Sequence, residues 1–409
     1  MRVRFVGPDT DAYVASVERH ALEFEEQTGI ALDVRLVPSD LYFSNEIRHL
    51  LDGDDAADVY MSGPVLMWDH LAAGFVRPLD EFLDRSSPTY DVADFIESVV
   101  RCNRWTGRFG DALGEGPLLE IPVNCESYNL AYVPSILEAA GVAVPSTWDA
   151  YFAAARRIVE HTGGLTRGFG QRGTPAWHTI YTGFATQFWS YGASDFSDGR
   201  CALDSASAVR ATSDFLDALR IAGPTDWPNQ RWYELALAFA DGHYGLLVDS
   251  DHYVAYFEDA ATSRLVGEIA YATPPAGPTG ECRPNLWTWS LVMNTRVQDA
   301  DAAWRFVEWA SGKAFLLRSA FEGNMNPTRT SVWDDQRFRE RVGAWDGFYD
   351  VSRSLVEQSA SVLVTPAPGY LGIAQRWVEA LLDAYAGRAG VAEALELAAR
   401  DIDLLVEPS

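Results

Sequence analysis

The sequence predicts an α/β protein built from two domains. The chain has 409 residues, which exceeds the length that one hydrophobic core usually supports. Its first sixty residues alternate between short extended apolar runs and helically spaced apolar positions, the pattern of a parallel α/β sheet. Further along, isolated extended runs, the first of them after a Gly-rich stretch, indicate where the chain crosses from one domain to the other.

The N-terminal region predicts strands and helices in strict alternation. Gly29 has the character of a helix C-cap and is expected to end the first helix. The strands are expected at residues 2–6, 30–37 and 57–61, and the helices at residues 14–24 and around 44–51.

Three loops follow the carboxyl ends of these strands, at residues 7–9, 38–42 and 62–64. Ligands of open α/β sheets bind beyond the carboxyl ends of the strands. We therefore expect these loops to face a ligand, and Tyr42 is the candidate contact in the second loop.

Composition narrows the classes of function. The chain carries 58 acidic and 32 basic residues, a formal net charge of −26, with a pI near 4.5. Such a surface repels phosphate backbones, so nucleic acid is not an expected partner. The acidic residues are scattered, which indicates a solubility role. No apolar stretch reaches the eighteen residues that a membrane-spanning helix needs.

No motif for catalysis, metal or cofactor binding is found. The four cysteines form no C-x-x-C pair, and their spacing is compatible with buried thiols or with one or two disulfides. No H-E-x-x-H, G-x-S-x-G or P-loop motif occurs. Residues 168–173 match G-x-G-x-x-G, but they lead into Thr174-Pro175 and not into a helix, so a dinucleotide site is rejected. We therefore predict no catalytic residues, no metal and no cofactor.

Four segments, in order along almost the whole chain, together carry a family resemblance. The first runs from Pro122 through Tyr128-Asn129 to Trp148-Asp149, and the second covers residues 239–253. The third covers residues 285–309, with Trp289, and the fourth joins residues 323–331 to residues 386–395. Together they resemble the extracellular solute-binding proteins of family 1. The members of this family are carbohydrate receptors of ABC importers, and the maltose-binding-protein-like group is among them.

The resemblance implies a two-lobed periplasmic-binding-protein fold of type II-like topology, with a ligand cleft between the lobes. The extended runs at residues 118–124, 267–275 and 323–327, combined with the family order, place the hinge crossings. The expected first lobe is residues 1–120 plus 277–317, the second is residues 125–269 plus 322–409, and the crossings are residues 120–124, 270–276 and 318–324.

The resemblance also implies a function. We expect a monomeric, non-enzymatic receptor that closes on an oligosaccharide, monosaccharide or polyol and delivers it to the transmembrane subunits of an ABC permease. The expected location is extracytoplasmic, periplasmic or lipid-anchored at the cell surface. The chain begins Met1-Arg-Val-Arg without a signal peptide or lipobox, so a removed signal and a cytoplasmic sugar sensor both stay open.

Aromatic side chains are the candidates for stacking on a sugar. A pyranose presents apolar C–H faces that dock flat on a ring, a contact worth roughly 1–3 kcal/mol. Trp289 is the first candidate, Tyr253 the second and Trp177 the third. Trp287 lies two residues before Trp289 and is expected on the same strand face, so one of these two rings is expected in the core.

Polar candidates lie near the supposed crossings and in one strand-to-helix loop. Asp249 and Asp251 could accept hydrogen bonds from sugar hydroxyls, and the alternative for Asp251 is a helix cap. The remaining polar candidates are Asn124, Asn324, Asn326 and Arg329.

A glycoside-active enzyme is the opposing class of function. Asp54-Asp55 or Asp249 with Asp251 could be imagined as its carboxylate pair, but spacing along a sequence says nothing about their separation across a glycosidic bond.

Overall fold

Residues 1–43 and 48–406 are described by a computed structural model of the protein, and they fall into two units. Unit 1 comprises residues 1–126, 287–339 and 366–370. Unit 2 comprises residues 127–286, 340–365 and the chain from residue 371 onward. The α/β class predicted from the sequence is confirmed by the mixture of strands and helices in both units.

The N-terminal part of unit 1 carries the predicted strand–helix alternation. Asp11 caps the first helix by accepting a hydrogen bond from the Val14 amide. The single helix predicted over residues 14–24 is divided at His20 into two, and Gly29 ends the second of them in the left-handed conformation. Of the helix expected around residues 44–51, residues 44–47 lie outside the described part of the chain. The elements are β1 Arg2–Pro8, α1 Ala12–Arg19, α2 Ala21–Thr28, β2 Ala31–Val37, α3 Ser39–Phe43, α4 Arg48–Leu51, β3 Val59–Ser62, α5 Pro64–Ala72, α6 Asp80–Leu83 and α7 Glu97–Arg101.

The sheet of unit 1 is completed by a strand from much later in the sequence. The strand order is β2-β1-β3-β10, where β10 is Leu286–Met293. β1 runs parallel to β2 and β3, whereas β10 is antiparallel to β3 and pairs Ser290 with Ser62. The later helices of unit 1 are α14 Ala300–Ala310, α15 Lys313–Phe321, α16 Thr330–Trp333 and the start of α17 Gln336–Val342.

The strands of unit 2 pair with one another. The second half of β4 Ile121–Tyr132 pairs antiparallel with β8 Tyr244–Ser250, which pairs parallel with β5 Arg167–Gly170. β9 Ala270–Ala272 pairs with the other edge of β4. Asn129 lies opposite Asp249 in this register.

Helices surround the sheet of unit 2, and a two-stranded ribbon stands apart from it. Thr147 caps α9 at its start and Gly163 ends it in the left-handed conformation. The helices are α8 Pro134–Ala140, α9 Trp148–Thr162, α10 Gly183–Ser190, α11 Ala206–Ala222, α12 Trp232–Ala240, α13 Val254–Phe257, α18 Phe348–Ser354, α19 Tyr370–Tyr385 and α20 Val391–Val406, and the ribbon is β6 Phe196–Ser197 with β7 Arg200–Cys201.

The chain changes unit after Glu126, Leu286, Arg339, Thr365 and Tyr370. The three crossings between the units were expected at residues 120–124, 270–276 and 318–324. The extended run before residue 276 includes β9, which pairs inside unit 2, and contacts also assign residues 277–286 to unit 2. The short return of residues 366–370 to unit 1 has no counterpart in the sequence-based division.

None of the four cysteines, all within the described part of the chain, forms a disulfide. Cys102, Cys125 and Cys201 are buried and Cys282 is half-buried, so the thiol alternative holds in this structure. Across residues 1–43 and 48–406 we find no helix long and apolar enough to cross a membrane, and no group of three acidic, His or Cys side chains placed to hold a metal ion.

Candidate functional site

The most constrained polar group of unit 2 is a buried guanidinium just after strand β5. Arg172 donates from Nε to Oδ2 of Asp249 at 3.0 Å and from Nη2 to Oδ1 of the same carboxylate. Nη2 also donates to the hydroxyl of Tyr128 at 3.1 Å. Burial is the largest influence on the pKa of Arg172 and lowers it, but the charge of Asp249, the two tyrosine hydroxyls and the hydrogen bond to Asp249 together raise it well above its usual value, so the guanidinium stays charged.

The backbone around Arg172 is held from both sides. The carbonyl of Arg172 accepts the indole N–H of Trp227 at 2.7 Å, and the amide of Gly173 donates to the carbonyl of Gln230 at 2.9 Å. A Cβ at Gly173 would lie 2.1 Å from the carbonyl oxygen of Trp227, so only glycine permits this approach. Gly173, the last glycine of the rejected G-x-G-x-x-G match, is therefore required for packing, and this close approach fixes the position of Arg172.

Aromatic rings surround the guanidinium. The Arg172 Cζ atom lies 5.7 Å from the ring centre of Tyr253 and 5.9 Å from that of Tyr128. Tyr253 stacks nearly parallel to Trp232, with ring centres 6.3 Å apart. Cation–π contacts of this kind favour a guanidinium kept between ring faces.

The third aromatic candidate, Trp177, also lies in unit 2. Its ring stacks on that of His178 with centres 3.8 Å apart. Burial, with a smaller effect from the charge of Arg172, lowers the pKa of His178 to about 3, so its imidazole is neutral at physiological pH.

The two aspartates predicted in a strand-to-helix loop have different positions. Asp249 lies in strand β8, its side chain is 0% exposed, and it also accepts the Ser250 amide. Asp251 begins a short 3₁₀ turn and accepts from both the amide and the hydroxyl of Ser127. The capping alternative for Asp251 is wrong, because the Ser250 side chain caps this turn by accepting the His252 amide.

In unit 1 the two predicted tryptophans of β10 lie edge to face, with ring centres 5.2 Å apart. The indole N–H of Trp289 donates to Oε1 of Glu126 at 2.8 Å, and this ring is only partly buried. Trp287 is 2% exposed and lies over Gly63, where an added Cβ would meet its ring at 2.4 Å. Trp287 therefore packs in the core, while Trp289 offers a ring held in place by a carboxylate.

The polar candidates of unit 1 are buried and bonded to the protein. Asn124 donates to the side chain of Asn324, which donates to the Val123 carbonyl and the Ser319 hydroxyl. Asn326 is 1% exposed, and its carbonyl accepts the Cys125 amide. The side chains of Asn124 and Asn324, with the backbone of Asn326, join β4 to the loop before α16.

Arg329 and Tyr42 also have internal partners in unit 1. Arg329 is fully buried, lies over the ring of Phe95 at 3.7 Å and donates to the carbonyls of Ser311 and Asp91. The hydroxyl of Tyr42 donates to the carbonyls of Met61 and Val6. Both arrangements fasten loops of the unit to its core.

Unit 1 contains a buried ionisable group without a hydrogen-bond partner in the described part of the chain. Glu120, just before β4, is 0% exposed, and neither carboxyl oxygen has a hydrogen-bond partner among the described residues. Burial raises the pKa of Glu120 well above its usual range, which favours the protonated form of this carboxyl. The nearby Tyr60 hydroxyl is buried too and likewise has no partner in the described part of the chain.

Comparison with known families assigns the chain. Residues 7–314 match the family model described as bacterial extracellular solute-binding protein. The chain belongs to this family. The family resemblance predicted from the sequence is confirmed, and with it the two-lobed class of fold.

Individual members of the solute-binding protein family match over most of the chain. The protein is 30% identical over 385 residues to the erythritol/L-threitol-binding protein of Mycolicibacterium smegmatis, covering 92% of this chain and 80% of that one. Among solved structures, a solute-binding protein of Agrobacterium radiobacter in complex with ribitol superposes with a TM-score of 0.87 at 19% identity, covering 99% and 98% of the two chains. One from Agrobacterium vitis with bound D-mannitol gives a TM-score of 0.83 at 19% identity, with the same coverage.

Sequence reasoning named Asp249 and Tyr253 but missed Arg172, Glu126 and Trp232. Arg172 lies inside the G-x-G-x-x-G match, which was judged only as a dinucleotide motif. The available signal was an arginine two residues after a short strand, next to a glycine that shortly precedes Pro175. Its pairing with Asp249, 77 residues later, depends on the parallel register of β5 and β8.

Proposed function

We propose that this solute-binding protein captures a small polyol or a related sugar and delivers it to the membrane permease of an ABC importer. The observation that carries the proposal is the cluster in unit 2, where a fixed guanidinium lies 5.9 Å from the ring centre of Tyr128 and 5.7 Å from that of Tyr253. Aromatic faces with a few fixed polar groups are the composition expected of a site for hydroxylated carbon chains.

The choice of polyols is supported by relatives. The M. smegmatis relative is an erythritol/L-threitol-binding protein, and the two Agrobacterium proteins are in complex with ribitol and D-mannitol. We extend this ligand class to the present chain because Arg172 and the partly buried Trp289 supply hydroxyl recognition and ring stacking, each within its own unit.

The proposed mechanism is binding without chemistry. The ligand biases the protein toward a closed state, and the segments where the chain changes unit act as hinges. The permease then recognises the closed monomer outside the cytoplasmic membrane. In support of a non-enzymatic role, the carboxylates of Asp249 and Asp251 are buried and already accept protein hydrogen bonds, which leaves them poorly placed as an acid–base pair.

Calorimetry with erythritol, L-threitol, ribitol, D-mannitol and maltose tests the proposal. We expect at least one polyol to bind and to raise the melting temperature, as ligand binding to the native state must. The same mixtures, incubated and analysed by chromatography, should contain unchanged ligands, and X-ray scattering should show a smaller radius of gyration with ligand. Failure of every polyol and sugar to bind would remove the proposed ligand class, and released product would identify an enzyme.

A further inference from the structure

The guanidinium of Arg172 is only partly used by the protein. It has five N–H groups. Nε and Nη2 donate to Asp249 and Tyr128, whereas Nη1 makes no hydrogen bond to any residue in the described part of the chain. Nη1 is not among the enclosed polar atoms, and the side chain keeps 11% of its surface exposed. Two N–H groups of a buried cation are therefore open to a ligand.

These two donors are fixed in direction. Both carboxylate oxygens of Asp249 accept hydrogen bonds from the Nε–Nη2 edge of the guanidinium, and the Arg172 carbonyl accepts a hydrogen bond from the indole of Trp227. The Asp249 side chain is 0% exposed, so it supports Arg172 and does not itself reach a ligand. A donor pair that is already ordered loses little entropy on binding, which strengthens recognition.

The geometry suits hydroxyl oxygens. A guanidinium donates and never accepts, and its planar N–H groups point at lone pairs in a fixed fork. Neighbouring hydroxyls of a polyol offer two acceptor oxygens at a matching spacing, while the C–H groups between them can lie on the Tyr253 ring near the same cation.

The charge around Arg172 disfavours an anionic ligand. Asp249 neutralises the guanidinium within the pair, and the buried carboxylate of Asp251 lies two residues further along the chain with Ser127 as its hydrogen-bond partner. His178, whose environment includes Arg172, is neutral. A carboxylate ligand would thus lose its hydration without gaining an uncompensated positive charge.

We propose that Arg172, neutralised and positioned by Asp249, is the specificity-determining residue that selects neutral polyols and excludes the corresponding sugar acids. This inference rests on the proposed function, because it concerns the ligand of the same site. Arg172 reads the hydroxyls through Nη1, and Asp249 is a positioning residue that also sets the charge of the site.

The test compares one polyol with the acid of the same carbon chain, for example ribitol with ribonate, by calorimetry at low salt. The wild-type protein should bind the polyol at least about a hundredfold more tightly than the acid, because burying an uncompensated charge is costly. Asp249→Asn keeps the shape of the side chain but leaves Arg172 with its positive charge. In the Asp249→Asn variant, the preference for polyol over acid should fall at least about tenfold. Loss of structure alone does not produce such a change in preference.

A second pair of variants tests the donors. Arg172→Lys keeps the charge opposite Asp249 but removes the N–H fork, and polyol affinity should fall by about tenfold or more. The double change of Arg172→Met with Asp249→Leu removes both charges together and should cost about as much affinity while the circular dichroism stays native. Arg157→Lys, the same substitution on an exposed arginine of α9, is the matched control and should bind as the wild type does.

The outcomes separate the two proposals. If the wild type binds no polyol or sugar of the panel, the proposed function fails and this inference with it. If polyols bind but the folded Arg172 variants bind them as tightly as the wild type, the role of Arg172 is overturned while the function stands. Equal wild-type affinity for ribitol and ribonate, or an unchanged preference in Asp249→Asn, would overturn the charge selection.

Discussion

The two units treat a buried acid in opposite ways. In unit 2, Asp249 keeps its charge because Arg172 faces it with two hydrogen-bond donors. In unit 1, Glu120 is equally buried but has no cation and no hydrogen-bond donor among the described residues, and burial raises its pKa, which favours the protonated form. Burial is therefore compatible with an ionised acid only where a partner compensates the lost hydration.

The difference teaches where charge is useful in this protein. An ion pair replaced by apolar side chains of similar size is often no less stable, so the pair in unit 2 is weak evidence for a stabilising role. Its open Nη1 donors suggest that charge is retained for recognition. Unit 1 offers instead the ring of Trp289, oriented by Glu126, as an apolar contact.

The largest expected effect comes from removing Asp249, because this leaves the Arg172 cation of unit 2 without its counter-charge. Asp249→Ala should lower the free energy of unfolding by about 3–5 kcal/mol, because Arg172 would stay buried without its counter-charge. Denaturant titration followed by circular dichroism measures this. Asp217→Ala, which breaks an exposed pair with Arg220, should change stability by less than about 1 kcal/mol. Similar losses in both variants would contradict the comparison.

The next effect concerns the aromatic contact of unit 1. Trp289→Ala should weaken polyol or sugar binding roughly a hundredfold, equivalent to about 2–3 kcal/mol, because the ligand loses its stacking surface. The melting temperature should change little, since the ring is only partly buried. Trp287→Ala is the control and should mainly destabilise the fold, because that ring fills space above Gly63. If Trp289→Ala unfolds the protein or binds normally, Trp289 is a packing residue.

The smallest effect tests the proton on Glu120. Its pKa is raised in the folded state, so between the unfolded value near 4.5 and the folded value only the unfolded chain releases the proton. Stability is therefore lost as pH rises through this window, by at most about 1.4 kcal/mol per pH unit. Glu120→Gln lacks this proton and should be the more stable protein.

The advantage of Glu120→Gln over the wild type should grow as the pH rises from about 4.5, by at most about 1.4 kcal/mol per pH unit, in urea titrations. Glu115→Gln, at an exposed position of the same unit, should show no such trend. A constant difference at all pH values would mean that Glu120 is ionised in the folded protein, and the contrast between the units would disappear.

The fold was predictable where local signals determine it. The apolar alternation of β1 and β2, and the glycine that ends α2, act within a few residues and were interpreted correctly. The pairing of β9 with β4 had no local signal, because its partner residues lie about 140 residues earlier in the chain.

The site was predictable only in part. Trp289 and Tyr253 were named from motif positions, and those site assignments stay predictions. Arg172 was missed because nothing in its neighbourhood identifies Asp249 as its partner. Asn324 and Arg329 also stay predictions; both donate to backbone carbonyls in this structure, and a polar residue in a loop has the same sequence signature whether it binds a ligand or the protein's own backbone.

The path of the chain has a consequence for synthesis. Strand β3 is complete at Ser62, but its neighbour β10 supplies Ser290 more than two hundred residues later. At typical elongation rates of about 5–20 residues per second, roughly 10–45 seconds separate the two on the ribosome. During that interval the nascent chain carries an unpaired apolar strand edge, which makes it a natural client for chaperones that hold unfinished polypeptides.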